Sequence, residues 1–397
     1  MYRRMIKGVV YNMKSLYLDN GATAFPKAPG VVESMSNYLL NIGCNVNRGA
    51  YKSSFEAENI VFETRELICE LFNFNKPENV VFTKNITESL NVLIKGLVKS
   101  GDHVIVSSME HNAVMRPLNN LAKIGVEFSR VICNKYGELN PEDIIEYIKP
   151  NTKAIVMTHA SNVCGTILDL KKVGTICKEN GLYFIIDTAQ TAGFLDIDYN
   201  ELNADAIAFT GHKGLLGPQG IGGFIINDDI VSKFDTLIEG GTGSLSEREV
   251  QPEYMPDKFE AGTLNIPGIY GLNASLKYIL KEGVATIREK ELYLLEHFLN
   301  DIGCISELDI VGKDNIKDRT AVVSVDIPNR DNGEISYDLY NNFGIMTRCG
   351  LHCAPSAHKT LKTFPRGTVR FSFSHFNTID DVNYAVDAIN KILKDFD

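Results

Sequence analysis

The sequence contains no apolar stretch approaching the length of a bilayer span, no low-complexity tract, no internal repeat and no CxxC pair. A nucleic-acid surface is excluded as well: the 40 lysines and arginines form no stripe, and the formal net charge is −10. A small molecule or another protein is the partner that such a surface suits. Eight cysteines, at 44, 69, 133, 164, 177, 304, 349 and 353, fall at irregular intervals in a chain too large to need covalent staples. They read as reduced thiols of a cytoplasmic protein. Arg3, Arg4 and Lys7 precede only the short apolar run Gly8–Tyr11, too short for the core of a signal peptide. Met1, Met5 and Met13 can each serve as a start, and residues 1–14 are expected to form a leader without fixed structure.

What is present is an ordinary globular composition, 44% hydrophobic and 23% charged, over 397 residues. That length suits one large core and a smaller companion domain. From about residue 30 to 270, strand-like runs alternate with helix-period segments: Val80–Phe82, His103–Val106, Ala154–Met157, Tyr183–Ile186, Ala206–Phe209 and Gly223–Ile226. The alternation predicts an α/β fold, a mostly parallel sheet covered by helices on both faces. The pattern breaks at Glu260–Pro267, and one long helical segment is expected from about Ile269 to Ile302. The expected organisation is therefore an N-terminal segment over 15–29, a large domain over 30–268 and a small α+β domain over 269–397. Strands at Thr320–Ile327 and Val369–Ser374 and a helix at Ile379–Leu393 are too few to stand alone, so Leu16–Leu18 is expected to join them.

In a parallel sheet, ligands gather at the carboxyl ends of the strands. Asp187 and Lys213 fall at two such ends, one strand apart. That pair suits pyridoxal phosphate: a lysine holds the aldehyde as an imine, and a carboxylate keeps the pyridine nitrogen protonated. The rival reading of Lys213 is a surface lysine ahead of a glycine-rich loop. For the phosphate, Thr83–Ser89 follows a strand and opens a helix, and Thr210 and His212 flank the lysine. The same letters at 83–89 also spell an ordinary helix start. Histidines at three strand ends, His111, His159 and His212, offer one that can stack on the ring, while Asn162 and Gln190 can reach its phenolic oxygen. Arg370, in a strand-like alternation, suits a substrate carboxylate, with Arg348 and Arg366 as competitors. Cys353, beside His352 and near Arg348, offers a nucleophilic thiol. Cys349, His352, Cys353 and His358 are spaced too tightly for a common zinc site, so no metal is expected.

Taken in order, these motifs resemble the class V aminotransferase superfamily, and within it the cysteine desulfurases of the NifS/SufS type. The resemblance rests on Leu18–Thr23, Asn45–Gly49, Thr87–Glu88, Glu110–His111, Ser161–Thr166, Asp187–Gln190, Thr210–Lys213, Phe259–Asn265 and Arg348–Ala354. It implies a pyridoxal-phosphate enzyme of fold type I, with a seven-stranded type of sheet, acting as a homodimer whose active site is shared between subunits. Lys213 would carry the cofactor, Asp187 would pair its ring nitrogen and His111 would stack on it. Thr87, Thr210 and His212 would hold phosphate, with Thr263 arriving from the other subunit. Ile86 stands where many members carry a second threonine, leaving only its backbone N–H. Arg370 would take the substrate carboxylate, near Asn162 and Asn20, and Cys353 would become the persulfide. The expected reaction converts L-cysteine to L-alanine and passes sulfur to an acceptor protein, for iron–sulfur cluster or other sulfur-cofactor assembly. The context Arg348–Ala354 resembles the short-loop, group II branch, while Pro355–Lys359 departs from its better-known pattern. Gly350–Pro355 and His212–Leu215 look like a subfamily with some selenium-associated members. A selenocysteine lyase acting on L-selenocysteine, or another aminotransferase or β-lyase of the superfamily, is the alternative.

Overall fold

The computed structural model describes residues 2–6, 9–46 and 49–394. Asn47 and Arg48 of the Asn45–Gly49 motif, and Met1, Lys7 and Gly8 of the expected leader, lie outside the described residues. Where no fixed structure was expected, β1 (Tyr2–Ile6) and β2 (Val9–Met13) pair antiparallel. The next strand, β3 (Leu16–Tyr17), belongs to the C-terminal part of the molecule.

The large sheet is built from β4 (Val80–Thr83), β5 (His103–Ser107), β6 (Glu127–Val131), β7 (Thr152–Thr158), β8 (Tyr183–Asp187), β9 (Ala206–Thr210) and β10 (Gly222–Ile226). Its order is β4-β10-β9-β8-β7-β5-β6, with β10 antiparallel to both of its neighbours and the remaining pairs parallel. The six apolar runs read from the sequence are all strands here. Each is buried on both faces because its alternate residues feed two different cores. Ile155 and Met157 of β7 join one cluster, and Ala154 and Val156 join the other.

A smaller antiparallel sheet follows, from β11 (Asp309–Val311), β12 (Val322–Asp326), β14 (Arg348–Gly350) and β15 (Thr368–Ser372), in the order β11-β12-β15-β14. The short β13 (Ile345–Met346) pairs parallel with β3, so the N-terminal segment does join this part of the chain. The helical segment expected as one piece is two helices, Ile266–Glu282 and Val284–Ile302. Gly283 divides them with φ +85°, a left-handed backbone that other residues adopt at a cost. Asn265 caps the first of these helices by accepting from Gly268 N at 3.1 Å, and Pro267 sits in its first turn, where no N–H is needed.

One buried ion pair ties the large sheet to the loop that precedes these helices. Glu260 accepts from Arg65 Nη2 at 2.7 Å and Nη1 at 3.0 Å, and from Phe82 N at 2.7 Å. Arg65 comes from the helix Lys52–Phe72, lies 4.7 Å from the Phe82 ring centre and also donates to Val80 O. With both side chains under a tenth exposed, neither charge has water as a substitute partner. Glu260→Ala should therefore cost about 3 kcal/mol or more of stability, read as a lower midpoint of urea denaturation. The double replacement Arg65→Met with Glu260→Leu should cost less than the single one, because it removes both charges together.

Candidate active site

The carboxyl ends of β7, β8 and β9 open into a cavity of about 450 Å³. Asp187 is the last residue of β8, and His212 and Lys213 follow β9 directly. Because β8 and β9 run parallel, their ends lie side by side, and the carboxyl and the amine meet without any long loop. Asp187 is 2% exposed, and its carboxyl accepts from Ala189 N at 2.9 Å. Burial raises its pKa, against the pull of the Ala189 N–H and the Lys213 charge. Desolvation lowers the Lys213 amine to about 8, despite the opposing charge of Asp187.

The helix Ile86–Leu97 points its N-terminus at the same cavity, with Asn85, Ile86 and Thr87 in the wall. Asn85 Oδ1 caps Glu88 N at 3.0 Å, and Glu88 Oε2 accepts from Lys84 N at 2.6 Å. The segment is thus an ordinary capped helix start that also offers first-turn N–H groups with no intrahelical acceptor. Opposite it, His111 caps the helix Asn112–Leu121, its Nδ1 accepting from Ala113 N at 3.0 Å. That bond leaves the ring proton on Nε2. Desolvation, then the nearby Lys213 charge, holds His111 neutral with a pKa of about 4.

Glu110, named in the sequence only as part of a motif, fixes this turn. It is fully buried and joins Ser107 Oγ at 2.5 Å to Thr158 N at 3.0 Å, so the ends of β5 and β7 are pinned together beside His111. The role escapes sequence reading because its partners are a backbone N–H on another strand and a hydroxyl.

The site residues expected from the sequence divide into two groups. Ile86, Thr87, His111, Asn162, Asp187, Gln190, His212 and Lys213 line the cavity together. Thr210, Asn20, Arg370 and Cys353 fall outside that lining. Asn20 lines a second cavity that also touches Gln190 and Lys213. Arg370 bonds Asn162 O and Cys353 O accepts from Asn112 N, while Thr263 lies elsewhere, in a separate cavity of about 270 Å³ with Asn45 and Val46. His159 does not join the other two strand-end histidines; it lines a different cavity of about 780 Å³. The amide donors of Gln190 and Asn162 are turned to backbone carbonyls, Gly21 O at 3.1 Å and His352 O at 2.6 Å. Asn20 spends its carboxamide on Ser372 O and Phe25 N.

Arg370, on β15, is 2% exposed and donates through Nη1 to Asn162 O at 3.0 Å. Gly21 packs close beside it: a Cβ there would come within 3.3 Å of the guanidinium carbon and press Arg370 aside by a few tenths of an ångström. Arg366 instead serves the backbone at Ile327 and Arg330 and pairs with Asp326 at 3.2 Å. Cys353 sits on a turn in which His352 and Cys353 both have left-handed φ, +46° and +57°. Cys353 O accepts from Asn112 N at 2.8 Å, and the Asn162 bond holds the preceding carbonyl. The thiol is exposed, yet close enough for its charge to raise the Lys213 pKa. His352 Nε2 and His358 Nδ1 bond to Thr368 and Thr363, and among the described residues no three His, Cys, Asp or Glu side chains group as metal ligands.

These residues fit pyridoxal phosphate on an observation independent of any motif. Thr210 Oγ1 and the His212 Nδ1 are buried without a partner, as donors awaiting a phosphate would be. Asp187 likewise has acceptor capacity to spare where a pyridinium N–H would sit.

A model of the aminotransferase class-V family matches residues 16–385. The chain is 33% identical to a probable cysteine desulfurase of Pyrococcus abyssi, covering 98% of this chain and 96% of that protein. It is also 33% identical to a probable cysteine desulfurase of Methanothermobacter thermautotrophicus, over 95% and 94%. Among solved structures it resembles the apo cysteine desulfurase from Thermococcus onnurineus NA1, with a TM-score of 0.89 and 33% identity over 96% of this chain and 95% of that one. The cysteine desulfurase CsdA from Escherichia coli matches with a TM-score of 0.86 and 26% identity over 96% and 95%.

Only the neutral amine of Lys213 can add to an aldehyde. Covalent uptake of pyridoxal phosphate by cofactor-free protein should therefore speed up as pH rises through about 8 and level off above it, well below the usual lysine range. Absorbance of the bound cofactor follows the rate, and Lys213→Ala should abolish the covalent signal.

Proposed function

The chain belongs to the aminotransferase class-V family, and from that premise we propose that it is a pyridoxal-phosphate-dependent cysteine desulfurase, converting L-cysteine to L-alanine and taking the sulfur onto Cys353. Bound pyridoxal phosphate supplies an electron sink that lets the Cα–H bond of an attached amino acid break. Around it, Asp187 would hold the proton on the ring nitrogen, and Thr210, His212 and the N-terminus of the helix Ile86–Leu97 would hold the phosphate. His111 covers the ring as a neutral imidazole. Arg370 would receive the substrate carboxylate, and the neutral Lys213 amine would accept the Cα proton. The Cys353 thiolate attacks the substrate sulfur; the S–S bond forms as the Cβ–S bond breaks, the electron pair of that bond stays with the carbon fragment, and a proton taken up at Cβ and one returned to Cα complete alanine, leaving an enzyme persulfide.

The observation that carries this reading over other chemistries of the family is the Cys353 turn. It is anchored at two successive carbonyls, one of them by Asn162, which lines the same cavity as Lys213. A selenocysteine lyase or another β-lyase is not favoured, since the named relatives are cysteine desulfurases. We further propose a homodimer with a shared active site. Thr263 lies away from the Lys213 cavity, as a residue serving a second copy would, and Leu39 and Leu40 nearby along the chain from Asn45 are 64% and 81% exposed. The exposed thiol suits delivery to an acceptor protein. Eight free cysteines suit the cytoplasm, and among the described residues no helix is long and apolar enough to cross a membrane.

The test is to incubate the holoenzyme with L-cysteine and measure alanine together with the mass of the peptide carrying Cys353, which should gain one sulfur atom. Cys353→Ser should lower turnover by more than about a hundredfold and abolish that gain while the cofactor stays bound. Cys349→Ser should retain both activities. Full turnover in the Cys353 variant would refute the role.

A further inference from the structure

The arginine read as the carboxylate site already holds a carboxylate of the protein itself. Asp19 Oδ1 accepts from Arg370 Nη2 at 2.8 Å, and its Oδ2 lies 3.9 Å from Arg348 Nη1. The two arginines face each other directly across β14 and β15, so their charges are forced together by strand register. Asp19 is itself fixed by backbone: it bridges Ser372 of β15, while its neighbours Asn20 and Gly21 bond to Ser372 O and Oγ at 2.9 and 2.7 Å. Its carboxylate therefore stands between the arginines as a built feature rather than a passing surface contact.

The donors of Arg370 can be counted. Of its five N–H groups, one on Nη2 goes to Asp19 and one on Nη1 goes to Asn162 O. Nε is buried with no partner. Donors thus remain for an incoming carboxylate after Asp19 has taken its share. Without Asp19, two adjacent guanidinium charges, that of Arg370 buried and that of Arg348 half exposed, would bind small anions more tightly, product included. With it, the pair presents one net positive charge.

We propose that Asp19 is a positioning and specificity-determining residue: it orients Arg370 and cancels one of the two guanidinium charges, so that the site accepts the carboxylate of an amino acid held beside Lys213 but holds free anions weakly. The inference rests on the reading of Arg370 as the substrate-carboxylate site. A purely structural Asp19 would, on removal, loosen every ligand. A charge-balancing Asp19 predicts the opposite sign for anions.

The experiment measures inhibition of the holoenzyme by L-alanine and by propionate, which carries the same carboxylate without the amine. Asp19→Asn keeps a hydrogen-bond acceptor and removes the charge; both inhibition constants should fall by about tenfold. Asp19→Glu keeps the charge and should leave them within about twofold of the starting protein. Inhibition constants that are unchanged or higher in Asp19→Asn overturn the proposal. Arg370→Ala tests the underlying reading separately: inhibition by both compounds should weaken sharply, and if it does not, Arg370 is not the carboxylate site whatever Asp19 does. Should Asp19→Asn fail to fold, Arg348→Ala with Asp19 in place removes one cation instead and should raise both constants; no change there also overturns the proposal.

Discussion

Asp187 and Lys213 are brought together by the sheet, and most of the site follows from that meeting. β8 and β9 are adjacent and parallel, so their last residues share one edge of the sheet. Both groups are withdrawn from water there, which raises the carboxyl, lowers the amine and leaves each poorly satisfied by the protein alone. A cofactor with a cationic ring nitrogen and an aldehyde answers both deficits at once. The helix N-terminus at Ile86, with Thr210 Oγ1 and His212 Nδ1 buried without a partner, leaves donors that a phosphate there would use.

The parts of this arrangement that sequence could reveal are those governed by local chemistry. The buried strands announce themselves because both faces are apolar, and the reactive residues because they sit where such runs stop. β6 was not legible: Glu127, Ser129 and Arg130 break any apolar run, as an edge strand with one covered flank allows. Nor was the division at Gly283, since the helical period continues on either side of it. Within the site, the contributions of Glu110, Asn162 and Asp19 depend on partners far away in the chain. Asp19 and Arg370 are 351 positions apart, and no spacing rule connects them.

The thiol is presented by a device of a different kind. Two successive non-glycine residues in the left-handed region cost about 1–2 kcal/mol each relative to ordinary backbone, and the turn retains them through bonds from Asn112 and Asn162. Asn162 is bonded at both ends, giving its carbonyl to Arg370 and its amide to His352 O. Arg370 and the Cys353 turn thereby share one rigid link.

The cap made by His111 carries a further implication. Because Nδ1 is already occupied by the Ala113 N–H, a proton arriving at that nitrogen would have to evict it and fray the first turn of the helix behind the ring. Acidification is thus opposed twice over, once by the dry surroundings and once by the architecture that the imidazole itself completes. The imidazole thereby keeps its proton on Nε2, set by a helix that begins one residue later.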